Sequence, residues 1–226
     1  MANELQSPFV ETQRAPRISV RAYNLIMAGL ILVGFVVMGV GSLWARTLAF
    51  QAYLASNFLL MGIVPLVASI AGIIMMSVAA GKQSTGLSIA GFAVFVASFG
   101  ITAGVALSAY DLPTVNTAFF ATAGITAVSG ILGMAFPNFF RRIGGILCGV
   151  LMGLVVVQLV MIFMGVDQTL LDIALVVVFA GFIAYDFNQA AQLEPTIPNA
   201  VLSASNLFVD IVNILLRLAR IFSRND

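Results

Sequence analysis

Histidine is absent from these 226 residues, which removes the usual imidazole metal ligand, the commonest general base and the one side chain that ordinarily titrates near neutrality. Cysteine occurs once, as Cys148 in an apolar run, so neither an intrachain disulfide nor a thiolate metal cluster can be built. Charge is scarce as well. Asp, Glu, Lys and Arg supply 8% of the chain and nearly cancel to +1, whereas a soluble domain carries roughly a quarter. So weak a field, with no Lys/Arg-rich run, excludes nucleic acid as a partner. Hydrocarbon fills the space. With 61% hydrophobic residues and a mean hydropathy of +1.09, this is an integral membrane protein whose surroundings are the lipid bilayer.

The apolar residues divide into seven segments of spanning length. They run over 22–44, 57–80, 86–110, 114–136, 143–165, 170–190 and 199–222, each close to the ~20 residues that cross about 30 Å of hydrocarbon. Short polar separators such as Gly81-Lys82-Gln83-Ser84 and Glu194-Pro195-Thr196-Ile197-Pro198 make neighbouring spans antiparallel. The expected organisation is a disordered cytoplasmic tail over 1–20, carrying Glu4, Glu11, Arg14 and Arg17, and one all-α, seven-helix transmembrane domain over 21–226. Arg14, Arg17, Arg21, Lys82, Arg141 and Arg142 fall on one side of alternating spans, which sets the amino terminus in the cytoplasm. Seven full crossings then carry Arg217, Arg220 and Arg224 to the far side, against the positive-inside tendency; either the last helix tolerates this or one segment does not cross fully. Gly145, Gly149 and Gly153, and likewise Gly100 with Gly104, form GxxxG patterns expected to pack inside the bundle rather than to dimerise it. Pro65 is expected to kink the second span.

Along the last span Ser203, Asn206, Asp210, Asn213, Arg217, Arg220 and Arg224 recur at alternating spacings of three and four, one polar face of a single helix. A carboxylate inside such a span faces a protein interior or a watery cavity, which makes Asp210 a functional candidate. Asp186 in Tyr185-Asp186-Phe187-Asn188, near the end of the sixth span, is the second. Asp111, Asp167 and Glu194 lie in turns and are read as solvated, and Asp172 as a helix amino-terminal charge or a weak candidate for a pore mouth. A hairpin bent near Pro198 brings Asp186 and Asp210 towards one another with a register difference of roughly 7 Å for the loop to absorb. Two carboxyls in contact cannot both ionise cheaply, so they share one proton; losing it leaves two negative charges that attract a hard cation such as calcium. Asn206 and Asn213 offer further oxygens, yet two carboxylates make a poor cage for six to eight ligands, so calcium binding should be weak or transient, as conduction requires.

At these residues the chain resembles the Bax inhibitor-1 (transmembrane Bax-inhibitor-motif) family. Tyr185-Asp186 with Asn188-Gln189, and Asn206-Leu207-Phe208-Val209-Asp210-Ile211-Val212-Asn213, look like its paired aspartate signatures, and Ala118-Phe119-Phe120 through Ser129-Gly130 is similar to its fourth-span pattern. The resemblance implies a seven-helix bundle with the last helix central, in a bacterial inner membrane. It also implies a pH-sensitive calcium leak with Asp186 and Asp210 as sensor and gate, and no cofactor beyond the carried ion. Where bacterial members carry arginines after the second span, this chain has Ala79-Ala80-Gly81-Lys82, leaving Lys82 for that place, and the tyrosine usual before the second aspartate is Phe208.

Rival readings come from other classes. An intramembrane aspartyl protease needs Gly-x-Gly-Asp where Leu207-Phe208-Val209-Asp210 stands, and a rhomboid-type serine protease needs a histidine base, so the chain is read as no enzyme. The remaining alternative is a non-catalytic regulator that binds another membrane protein, such as a quality-control protease.

Overall fold

The computed structural model describes residues 15–224. Helix α1, Val20–Ala45, starts at Ser19, whose hydroxyl accepts the Ala22 N–H at 3.1 Å. A short α2, Leu48–Ser56, leads into α3, Phe58–Lys82. Helix α4, Thr85–Phe95, passes through one π turn, Val96–Gly100, into α5, Ile101–Leu107. Then come α6, Leu112–Ala135, capped by Asp111, α7, Pro137–Met164, α8, Thr169–Gln192, and α9, Ile197–Phe222. Counting α4 to α5 as one continuous span, seven helices are long and apolar enough to cross a membrane. The described residues contain no strand, as an all-α bundle requires.

The passes sort the loops into two ends. Arg46 donates to the Tyr110 carbonyl at 2.9 Å, and Arg224 to Asp167 at 2.7 Å, at one end. At the other, Gln83 donates to the Asn199 side chain at 3.3 Å, and Ile18 N–H to the Pro195 carbonyl at 2.8 Å. Of the segment read as a tail, residues 1–14 lie outside the described residues; residues 15–19 run without helix against the turn after α8, where Arg17 pairs with Glu194. All seven helices are long and apolar enough to cross and alternate between the two ends, so Arg217, Arg220 and Arg224 lie towards the end opposite Arg17, Lys82 and Arg141.

Helix α9 runs between α1, α3, α4, α6 and α8. Of its apolar window 67% is buried, against 39% or less in every other span. Leu207, Val212, Ile214 and Leu215 form its buried core faces. Close helix approach comes from glycine where backbone meets backbone: a Cβ on Gly104 would strike Met38 O and Ser42 N of α1, and one on Gly133 would strike Ala184 of α8. The α7 glycines behave otherwise. Gly145, Gly149 and Gly153 have nothing within 4 Å of where a Cβ would stand, so this stripe faces outward and does not pack inside the bundle as its spacing led us to expect. The reason is that α7 sits at the periphery and turns its Gly144 and Leu147 side towards Tyr185 and Gly181 of α8. Pro65 leaves α3 continuous, its carbonyl accepting the Ser69 hydroxyl at 2.7 Å.

Candidate functional site

Asp186 and Asp210 are 9% and 7% exposed, and their carboxyl groups face one another as close neighbours across the α8–α9 seam. The helices reach that contact from unequal distances. Six residues follow Asp186 before α8 ends at Gln192, whereas thirteen precede Asp210 from the start of α9 at Ile197. The seven-residue difference, about 10 Å of helical rise, is taken up by Leu193 to Thr196, extended at both ends (ψ 150 and 158). The turn is tied down: Asn199 donates to the Glu194 carbonyl at 2.9 Å and Thr196 N–H to the same oxygen at 2.9 Å.

Polar groups continue from the pair towards this turn. A crevice of about 20 Å³ is lined by Asp186, Gln189, Ser203 and Asn206, between Leu193 and Leu202; that is room for one water molecule, which needs roughly 10–15 Å³. Tyr23 of α1 meets Ser203 at 3.0 Å between the hydroxyl oxygens. Asn188 donates to the Gly133 carbonyl at 3.1 Å and accepts from Gln192 at 2.5 Å, which locks α8 against α6 two residues from Asp186. The donor set is hard oxygen, suited to calcium, but six to eight ligands need more space than this crevice holds, so a cation enters only if the seam widens.

The other residues singled out from the sequence are placed unequally. Asn206 lines the crevice. Asn213 spends its amide on its own helix, donating to the Val209 carbonyl at 2.9 Å. Lys82 is not brought to the pair: it ends α3 beside Gln83, which bonds Asn199, eleven residues along α9 from Asp210, or about 16 Å. Phe208 is 1% exposed, with the rings of Phe35, Phe95 and Phe99 at 5.5, 6.3 and 5.9 Å. A tyrosine there would bury its hydroxyl among those rings.

The second charged site in the seam lies near the opposite end. Asp172, in the first turn of α8, is fully buried and accepts from Arg217 at 2.9 Å and from Arg220 at 3.1 Å; Gln158 of α7 accepts from Arg217 at 3.4 Å. Asp172 is therefore no mere dipole-favoured helix-end charge. Its partners stand 45 and 48 residues away, beyond any local pattern; the available signal was Arg217, Arg220 and Arg224 on one face at the end of the last span, with no acid three or four residues from any of them. Arg224 completes the set on Asp167 and Thr169, at 2.7 and 2.6 Å. Arg217, Arg220 and Arg224 thus each have a carboxylate partner, which is how the last helix carries them there.

Comparison with known proteins agrees with this architecture. Residues 17–226 match the family described as inhibitor of apoptosis-promoting Bax1. An uncharacterized protein of Deinococcus radiodurans is 29% identical over 215 residues, 91% of this chain and 90% of its own length. Inner membrane protein YbhL of Escherichia coli K12 is 26% identical over 216 residues, 89% of each chain. An uncharacterized membrane protein of Streptococcus pyogenes serotype M3 is 29% identical over 170 residues, 70% of this chain and 74% of its own. With its seven spans and a match over nearly its whole length, this multi-pass membrane protein belongs to the Bax inhibitor-1 family.

Proposed function

We infer that the protein is a pH-sensitive cation leak, with calcium as the carried ion and the Asp186–Asp210 pair as sensor and gate. The observation that carries this reading is the contact of two buried carboxyls inside a membrane span, beside a polar crevice. Sharing one proton, the pair bears a single charge; without it, two charges repel across the seam, part the helices and draw a cation into the oxygens they expose. The weak ligand set then serves release as well as entry. Likeness to YbhL supports placement in a bacterial inner membrane, amino terminus inside.

Calcium flux into vesicles holding the purified chain tests this. Wild type should leak differently at about pH 6 and about pH 8, Asp210→Asn should lose that difference, and Asp186→Asn should shift it or leave the path open. Equal flux at both values in all three proteins would sink the reading. A second reading, a regulator that binds another membrane protein, draws support from the uncovered α7 glycine face. Co-purification of a membrane partner that survives both aspartate substitutions, with no flux in vesicles, would favour it.

A further inference from the structure

Helices α1 and α6 both pack on α9 but scarcely on each other. Two hollows, of about 440 and 470 Å³, occupy the gap between them. The first is lined by Val20, Asn24 and Ala28 of α1 and by Leu193 and Pro195 of the turn after α8. The second lies deeper, between Phe35 of α1 and Ala123 and Ala127 of α6. Met134 and Phe187 line both, so the two hollows are one groove.

Its walls are equal in length. Val20 to Phe35 on α1 and Phe119 to Met134 on α6 each advance fifteen residues, about 22 Å of helical rise. At the deep end the rings of Phe35 and Phe119 meet edge to face across the gap, 5.9 Å between centres, and close it. The other end opens where α1 begins and α8 has just ended, at the level of Arg17 and Arg21. Small side chains on the facing walls, Ala123, Ala127 and Gly130 on α6 and Ala28 on α1, leave the space free.

The groove has the chemistry of its surroundings. No charged residue lines it. Its inner hydroxyls are turned away: Thr122 donates to the Ala118 carbonyl at 2.7 Å, Tyr23 meets Ser203 at 3.0 Å, and the Thr126 oxygen is buried out of reach. A length of about 22 Å starting at the interface passes the middle of roughly 30 Å of hydrocarbon. Spread over that length, the two volumes give a section of about 40 Å², on the order of 7 Å across, narrower than the 10–12 Å of a helix with its side chains. That section suits a run of methylenes and not another span. The mouth alone is polar. Asn24 lines it, and Arg21, exposed in the same first turn of α1, pairs with no carboxylate among the described residues, whereas Arg17 is held by Glu194.

We propose that this groove seats one acyl chain of a bilayer phospholipid, whose phosphate meets Arg21 and Asn24 at the mouth. Within hydrocarbon such a chain is held by close packing, since no water is displaced there, and the phosphate adds a charge-assisted hydrogen bond to the guanidinium. The floor includes Phe187 and Ile211, which follow Asp186 and Asp210 in sequence, so the chain lies against both helices of the seam from the lipid side. Seating of the chain is independent of what the two aspartates carry.

Native mass spectrometry of the full chain, extracted into a mild detergent from vesicles of dioleoyl phosphatidylcholine, counts the phospholipid that stays bound. Wild type retains one molecule. Ala127→Phe on one wall and Ala28→Phe on the other each fill the groove and lower retention about tenfold. Val156→Phe, on the exposed face of α7, leaves it within about twofold. Arg21→Gln weakens retention of phosphatidylcholine and of phosphatidylglycerol alike, because both carry the phosphate. No retained phospholipid in wild type overturns the site, and so does equal retention in wild type and the groove variants, or an equal fall in Val156→Phe. If one groove variant does not fold, unchanged retention in the other is sufficient to overturn it. Retention unaffected by Arg21→Gln, or reduced for phosphatidylglycerol only, overturns the phosphate contact.

Discussion

Removing Asp172 strands two guanidiniums. Arg217 is nearly buried and Arg220 half-buried, and both turn to this one fully buried carboxylate. Breaking one side of a buried ion pair costs about 3–5 kcal/mol because the charges left behind have no solvent. Asp172→Asn should therefore lower unfolding stability in detergent by that order, and Asp172→Asn combined with Arg217→Leu should recover part of it. The turn carboxylates behave differently. Hydrogen bonds from the Thr114 side chain and backbone hold Asp111 below the usual carboxylate range, and the Thr169 backbone N–H, its hydroxyl and Arg224 do the same for Asp167. A depressed folded value means that the contribution is present above the ordinary carboxylate pKa and is lost as pH falls through the depressed one. The stability gap between wild type and Asp167→Asn should accordingly hold from about pH 8 to about pH 5 and close only below about pH 4. A gap that closes near neutrality would contradict it. At this scale Asp186 and Asp210 were legible because hydrocarbon leaves an intramembrane acid unexplained. Asp172 was not, because a first-turn acid has an innocent local explanation and its partners come from another helix.

Helices meet closely where glycine stands and stay apart where it is exposed. A Cβ on Gly104 runs into the α1 backbone, which cannot step aside as a flexible side chain can, whereas one on Gly149 meets nothing. Gly104→Ala should cost about 1–3 kcal/mol by overpacking, and Gly149→Ala should leave stability unchanged or raise it by up to about 1 kcal/mol, both read from thermal unfolding in one detergent. Similar losses would mean that α7 is covered after all. The sequence pattern treats the two stripes alike, because GxxxG records that a close approach is allowed and says nothing of which neighbour uses it. Span positions were readable from apolar runs and polar separators to within a few residues. The short α2 escaped because Leu48–Ser56 is too brief to register as a span, and the π turn at Val96–Gly100 because an extra residue in one turn leaves apolar content unchanged.

Over the whole molecule, seven full passes put the α3–α4 turn and the α7–α8 turn at opposite ends. With Cys148 replaced by alanine, a cysteine at Gly86 and one at Val166 should be labelled by a membrane-impermeant thiol reagent from opposite sides of intact vesicles. Labelling of both from one side would contradict the seven-pass architecture. The positive-inside rule alone left the last crossing open, since it counts arginines without their partners. Those partners bear on how the chain enters the bilayer. Near the centre of an isolated helix each charged residue costs about 2.5–3.5 kcal/mol, and α9 holds Asp210, Arg217 and Arg220 in one span. It is therefore ill suited to release into lipid by itself, and the translocon has to retain it until α8 lies alongside and supplies Asp172 and Asp186. The last two helices leave the ribosome as separate segments but reach the membrane as one hairpin, and a truncation before α9 would leave two acids behind with no arginine to meet them.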